Sequence, residues 1–236
     1  MSAVYKLKKT TLNLSHLQTV TNNILKYSPF PKKVKIIVVT KTFSFQAIKS
    51  AEEQNLFQIG ESKVQETQYK LKNNKLNPKT KIHLIGRLQR NKTNKAVQTY
   101  DVIQSVDSLK LLVKINAVAK KNNKKQKIFL QTNLKGKPTQ AGASNEETLF
   151  LAKKTKKLQN IKLCGIMSIG PNTQNTKKIK EYFQKIKKIQ KTIEKTINPT
   201  CSSLSLGMSG DYKQALQIGA THIRLGTLLF DKSRYE

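Results

Sequence analysis

Short apolar runs recur along the chain, spaced so that one helix fits between each pair. Eight qualify as strands: residues 35–40, 57–60, 82–86, 102–106, 128–133, 163–169, 204–208 and 222–226. Most are continuously apolar rather than alternating, the pattern of strands covered on both faces. The segments between them carry apolar residues at helical spacing. The clearest is 175–193, where Ile179, Phe183, Ile186 and Ile193 form one stripe among lysines. Leu111, Ile115 and Val118 mark another. Ser44 is placed to cap a helix carrying Ala47, Ile48 and Ala51, and Ser144 with Glu147 makes a capping-box pair ahead of Leu149. A further amphipathic helix, with Leu17, Val20 and Ile24 on one side, precedes the first strand. It is predicted to lie across the outside or bottom of the fold.

Eight alternating strand–helix units predict an α/β chain folded as one (β/α)8 barrel domain over residues 1–236. The competing architecture is an open doubly wound sheet, which normally carries a glycine-rich fingerprint after its first strand. Here that position reads Lys41-Thr42-Phe43-Ser44, without glycine. No linker or low-complexity insert interrupts the pattern. The lysine-rich stretches 70–81 and 120–127 read as solvated connections.

The net charge of +32 first suggests nucleic acid. Arginine, however, occurs only at Arg87, Arg90, Arg224 and Arg234, so lysine supplies 41 of the 45 basic residues. Recognition of phosphates and bases favours the arginine fork. Scattered lysines among many Asn and Ile instead fit a biased codon usage, with salt-sensitive sticking to polyanions as the consequence. Cys164 and Cys201 fit no paired metal spacing and no disulfide framework, so both are expected as free thiols in a reducing cytoplasm. The N-terminal stretch lacks an apolar signal core, and no run approaches a membrane span.

In a barrel of this kind, active sites form where the strands end. The first strand ends in Lys41. An amine with lowered proton affinity forms a Schiff base with an aldehyde, although many strand-end lysines only reach water. The seventh and eighth strands end in Leu206-Gly207-Met208-Ser209-Gly210-Asp211 and Arg224-Leu225-Gly226-Thr227. Loops there commonly hold phosphate: glycines let amides approach an anion, Ser209 and Thr227 add hydroxyls, and a helix starting near Asp211 adds N-terminal amides. The plainer alternative is that these glycines only make tight turns. Arg224 lies two residues before Gly226 and shares its face. A buried arginine needs an acceptor, either the ring nitrogen of a pyridine or a carboxylate inside the barrel. A lysine amine, a phosphate site and an arginine together suit a phosphorylated aldehyde, pyridoxal 5′-phosphate.

The stretches IIVVTKT, FQIGESKVQE, IHLIGRLQRNK, IQSVDSLKL, LQTN, LCGIMSIGP, SLGMSGDYKQALQIGATHIRLGT and LFDKSRY resemble the YggS/PROSC family of pyridoxal-phosphate-binding homeostasis proteins. The resemblance implies a barrel like the N-terminal domain of alanine racemase. It implies that Lys41 holds the cofactor as a Schiff base and that Ser209, Gly226 and Thr227 hold its phosphate, with Gly210 shaping the turn. Arg224 would face the pyridine nitrogen, Met208 and His83 would line the cavity, and Ser168 is a further contact. Such a nitrogen stays unprotonated, which weighs against demanding carbanion chemistry. Three positions depart from the family pattern: Ser62 where Asn is usual, Arg87 where His is usual, and Gln140 where Lys commonly stands.

The function so implied is to hold pyridoxal phosphate, buffer it and supply it to apo-enzymes that use it, without robust turnover and as a monomer. Because the sequence runs only to Glu236, soon after the eighth strand, the second domain that racemases of this fold use is not expected. The alternative is a racemase or amino-acid lyase with Lys41 as base. Its acid would come from Tyr69, Tyr182 or Tyr212, which fall in helical patterns that look external.

Overall fold

Each of the eight expected strands forms and pairs in parallel with its successor. They are β1 (Lys35–Val39), β2 (Gln58–Glu61), β3 (Lys81–Leu84), β4 (Val102–Val106), β5 (Gln126–Gln131), β6 (Ile161–Met167), β7 (Ser203–Ser205) and β8 (His222–Leu225). β8 pairs back onto β1, from Lys35 with His222 to Val38 with Leu225, and closes the barrel. That closure excludes the open sheet. The structure is a computed structural model, and it describes residue 5 and residues 7–134 and 141–230. Gln140 lies outside the described residues.

The helices are α1 (Leu14–Tyr27), α2 (Phe45–Glu53), α3 (Val64–Leu71), α4 (Thr93–Thr99), α5 (Leu109–Lys121), α6 (Asn145–Thr155), α7 (Thr176–Thr196) and α8 (Tyr212–Ile218). Their apolar stripes cover the barrel's outer surface. Ile179, Phe183, Ile186 and Ile193 of α7 are all buried, as are Leu111, Ile115 and Val118 of α5. The capping box at Ser144 and Glu147 starts α6. α1 runs along the outside against α8, burying Val20 and Ile24, and Asn23 Nδ2 donates to Tyr212 Oη at 2.8 Å.

The sequence reading fails in three places, each for a polar reason. Ser44 has the extended backbone of an N-cap, but its hydroxyl makes no capping bond. The stretch 70–81 is not simply solvated, because Lys70 belongs to α3 and its side chain is wholly enclosed. Within 120–127, the Lys124 amine donates to the carbonyls of Val97 and Tyr100, and Gln126 is buried at the start of β5. Both cysteines are free, Cys201 in the core and Cys164 partly buried. Among the described residues, no helix is long and apolar enough to cross a membrane.

Candidate functional site

Strand alternation sorts side chains between the barrel interior and the helix layer. His222 of β8 packs edge-on against Phe129 of β5, with ring centroids 5.4 Å apart. Residues from such distant strands meet only through the interior. Arg224, two residues on, shares that side and is 4% exposed. Gly226 continues it: a Cβ there would lie 3.3 Å from Val39 Cβ. On β1 the interior face therefore runs through Ile37 and Val39, and Lys41 continues it one step past the strand. Thr40 points the other way, its hydroxyl donating to Glu61 Oε1 at 2.6 Å.

The chain ends singled out from the sequence thus lie on three consecutive strands around the barrel, β7, β8 and β1. Thr227 Oγ1 lies 3.2 Å from Ser209 Oγ and joins the two loops. Around this hydroxyl pair, the backbone N–H groups of Ser209, Gly210 and Thr227 donate to no acceptor among the described residues. Three unspent amides and two hydroxyls make up a cradle of donors that could hold a polyanion. The expected amides of Asp211 and Tyr212 take no part, because both turn back to the Met208 carbonyl. The glycine that the turn requires is Gly207 rather than Gly210. Gly207 has φ 88°, and a Cβ there would lie 2.7 Å from Ala215 Cβ. A Cβ on Gly210 would meet nothing within 4 Å, so the space above it is open. Met208 is exposed and lines that opening.

Arg224 has no ion pair among the described residues, so the carboxylate alternative finds no support there. Its guanidinium donates to the Ser205 carbonyl at 2.7 Å, to Ser205 Oγ at 2.8 Å and to the Ser168 carbonyl at 3.0 Å. That engages three of its five N–H groups. Burial lowers its pKa to about 10, with the Asp211 carboxylate opposing the shift. The group is therefore a buried cation with donors to spare.

Behind it runs a chain of hydrogen bonds that the sequence reading missed. The Ser205 hydroxyl donates to Gln104 Oε1 at 2.7 Å, and Gln104 Nε2 lies 2.9 Å from His83 Nδ1. His83 Nε2 lies 2.9 Å from Gln58 Oε1. Because Gln104 must donate through its amide nitrogen and Gln58 accepts through its oxygen, His83 is the neutral Nε2–H tautomer. Burial lowers its pKa to about 3, with His222, Lys35 and Lys127 adding repulsion. Both His83 ring nitrogens are thus engaged by protein. The residue braces Arg224 from within the barrel instead of offering a free nitrogen to the cavity. Ser168 likewise supports: its carbonyl accepts from Arg224, while its hydroxyl donates to the Thr132 carbonyl and contacts Tyr182 Oη at 3.0 Å.

Lys41 is exposed at the mouth. Of the tyrosines weighed as acids, Tyr69 is exposed and packs against Tyr5, and Tyr212 is held by Asn23. Tyr182 is less external than its helix suggests, since it reaches Ser168 at the end of β6. No cluster of His, Cys, Asp or Glu among the described residues has metal-binding geometry.

The profile of the alanine racemase N-terminal domain family matches residues 13–233. The pyridoxal phosphate homeostasis protein of a Synechocystis species is 34% identical over 85% of this chain and 92% of its own length. That of Aquifex aeolicus is 33% identical, over 85% of this chain and 88% of its own. The chain belongs to the pyridoxal phosphate homeostasis protein family. Among solved structures, PipY of Synechococcus elongatus without PLP superimposes with a TM-score of 0.82 at 29% identity, covering 92% of this chain and 99% of PipY. PipY with PLP bound gives 0.80. An alanine racemase of Clostridium difficile shares the fold, with a TM-score of 0.72 at 18% identity over 96% of this chain and 58% of its own.

Proposed function

We propose that this protein binds pyridoxal 5′-phosphate at the mouth formed by β7, β8 and β1, and buffers it for enzymes that need it. The observation that carries the reading is the cradle beside Lys41. Two hydroxyls and three unspent amides lie at the ends of β7 and β8, with an exposed primary amine at the end of the next strand, β1, and a buried guanidinium on β8. The residues present fit the cofactor. Ser209 and Thr227, with the amides around them, take its phosphate. Arg224, cationic and without an ion pair among the described residues, presents a donor that it will not surrender, suited to an unprotonated pyridine nitrogen. When bound, the cofactor supplies an aldehyde that condenses reversibly with a primary amine, and Lys41 is the amine at the mouth.

The fold and the family support this reading, as does PipY, solved with PLP bound. We place the protein in the cytoplasm as a single-domain monomer that hands the cofactor to apo-enzymes. A racemase or lyase would need an acid opposite Lys41, and no observation favours one of the three tyrosines for that role.

Titration with pyridoxal phosphate, followed by visible absorption, tests the proposal. Wild type is expected to develop a band in the visible region. Lys41→Ala is expected to lose that band yet keep weaker, non-covalent binding through the phosphate cradle. Equal bands in both proteins would overturn the assignment of Lys41. Loss of an amino acid's α-deuteron at enzymatic rates would overturn the carrier reading in favour of an enzyme.

A further inference from the structure

The amine of Lys41 makes no hydrogen bond or ion pair among the described residues, so its placement rests on the backbone on either side of it. That backbone is held in an unusual way. Thr42 has φ 67°, a left-handed conformation that a β-branched residue rarely adopts. Its N–H donates to Glu66 Oε1 at 2.6 Å, and its carbonyl accepts from the Lys8 N–H at 3.0 Å. Thr40, on the other side of Lys41, is held twice. Its hydroxyl donates to Glu61 Oε1 at 2.6 Å, and its carbonyl accepts from Lys70 Nζ at 2.8 Å.

The side chains of Glu61 and Lys70 are fully buried and paired with each other. Glu66 is 4% exposed. Three buried charges from β2 and α3 therefore converge on the two residues that flank Lys41. A buried ion pair is a poor source of stability compared with apolar packing of the same volume, but it fixes geometry, because charge-assisted hydrogen bonds are short and directional. Two further details fit a positioning role. Glu61 Oε2 has no partner among the described residues, so the carboxylate is spent on holding Thr40 and Lys70, not on a closed network. The strained turn comes directly after the reactive lysine, where stored strain is characteristic of functional sites.

We propose that Glu66, backed by the Glu61–Lys70 pair, is a positioning residue that clamps the Thr40–Thr42 backbone and so aims the Lys41 amine into the mouth. This rests on Lys41 being the cofactor-bearing amine. The test compares wild type, Glu66→Ala and Glu66→Gln as full-length chains with two probes. Pyridoxal 5′-phosphate reports on Lys41, through the visible band and the fraction of Lys41 trapped by borohydride. Pyridoxine 5′-phosphate, with an alcohol in place of the aldehyde, reports on the ring and phosphate contacts alone by calorimetry.

Glu66→Ala is expected to lower the equilibrium constant for the Lys41 adduct about tenfold, the scale of one lost charge-assisted hydrogen bond. The affinity for pyridoxine phosphate is expected to stay within about twofold of wild type, because the clamp lies outside those contacts. Glu66→Gln keeps an oxygen for the Thr42 N–H and is expected to recover much of the adduct. Parallel loss with both probes would overturn the clamp in favour of general support of the fold. Unchanged adduct formation in Glu66→Ala would overturn it outright. Wild type that forms no adduct at all overturns the reading of the site, and the clamp with it. That result is distinct from wild type and Glu66→Ala forming the adduct equally well.

Discussion

Lowering the pH from 7 to 5 is expected to destabilise this barrel from the inside. His83 and His222 are 2% and 7% exposed, with ring centroids 6.2 Å apart. Burial pushes the pKa of each from 6.5 to about 3. For a base whose folded-state pKa is depressed, the stability is present above the unfolded value and is lost as pH falls from 6.5 toward 3. At pH 5 the unfolded chain holds nearly one proton on each ring and the native chain almost none. Between pH 7 and pH 5 each histidine therefore removes about 2 kcal/mol, and the two together about 4 kcal/mol. Urea unfolding at pH 7, 6 and 5, at one fixed high ionic strength so that general charge repulsion is screened, measures this directly. His83→Gln is expected to flatten the pH dependence by about half, and His222→Phe to remove most of the remainder. The same protonation would place a second donor on His83 opposite the Gln104 amide, and so would disturb the chain that braces Arg224. If His83→Gln and wild type lose stability in parallel from pH 7 to pH 5, His83 is not the buried neutral residue described, and the hydrogen-bond polarity assigned to the interior chain is wrong.

Three further perturbations probe the site and its support. Lys70→Ala leaves the Glu61 carboxylate buried without its cation and is expected to cost roughly 3–5 kcal/mol in urea unfolding; replacing the pair together, Glu61→Leu with Lys70→Met, is expected to restore most of that, and equal losses in the single and double variants would contradict the pairing. Ser209→Ala with Thr227→Val removes both cradle hydroxyls and is expected to weaken pyridoxal phosphate binding by roughly ten- to a hundredfold in a spectroscopic titration; an unchanged affinity would mean that the phosphate sits elsewhere. Arg224→Glu allows a protonated pyridine nitrogen and is expected to shift the absorption maximum of the bound cofactor, whereas an unchanged spectrum would show that Arg224 is not at the ring.

The barrel was legible because its strands are covered on both faces and so read mostly as continuous apolar runs. Boundaries slipped where polar residues are buried with partners. β5 begins at Gln126, whose amide nitrogen satisfies the Tyr100 and Asp101 carbonyls, so the strand starts before its apolar run. β7 stops at Ser205, because the chain must turn through Gly207 in a left-handed conformation. α3 gave no apolar stripe, since its buried face includes Glu66, Thr67 and Lys70. In a chain with 41 lysines nothing local marks Lys70 as the enclosed one; only its packing against Glu61 does. The interior chain left a fainter mark: His83, Gln104 and Ser205 are polar residues within predicted strands, each needing a partner that sequence cannot identify. The convergence of Lys41, Ser209, Thr227 and Arg224 followed from barrel topology, whereas their individual roles came from the family resemblance.

The most direct test of the account is borohydride reduction of the protein loaded with pyridoxal phosphate, followed by peptide mapping of the labelled lysine. The account predicts one stoichiometric adduct, on Lys41, despite 40 other lysines competing for the aldehyde. Label spread over surface lysines, or concentrated on any lysine other than Lys41, would contradict it.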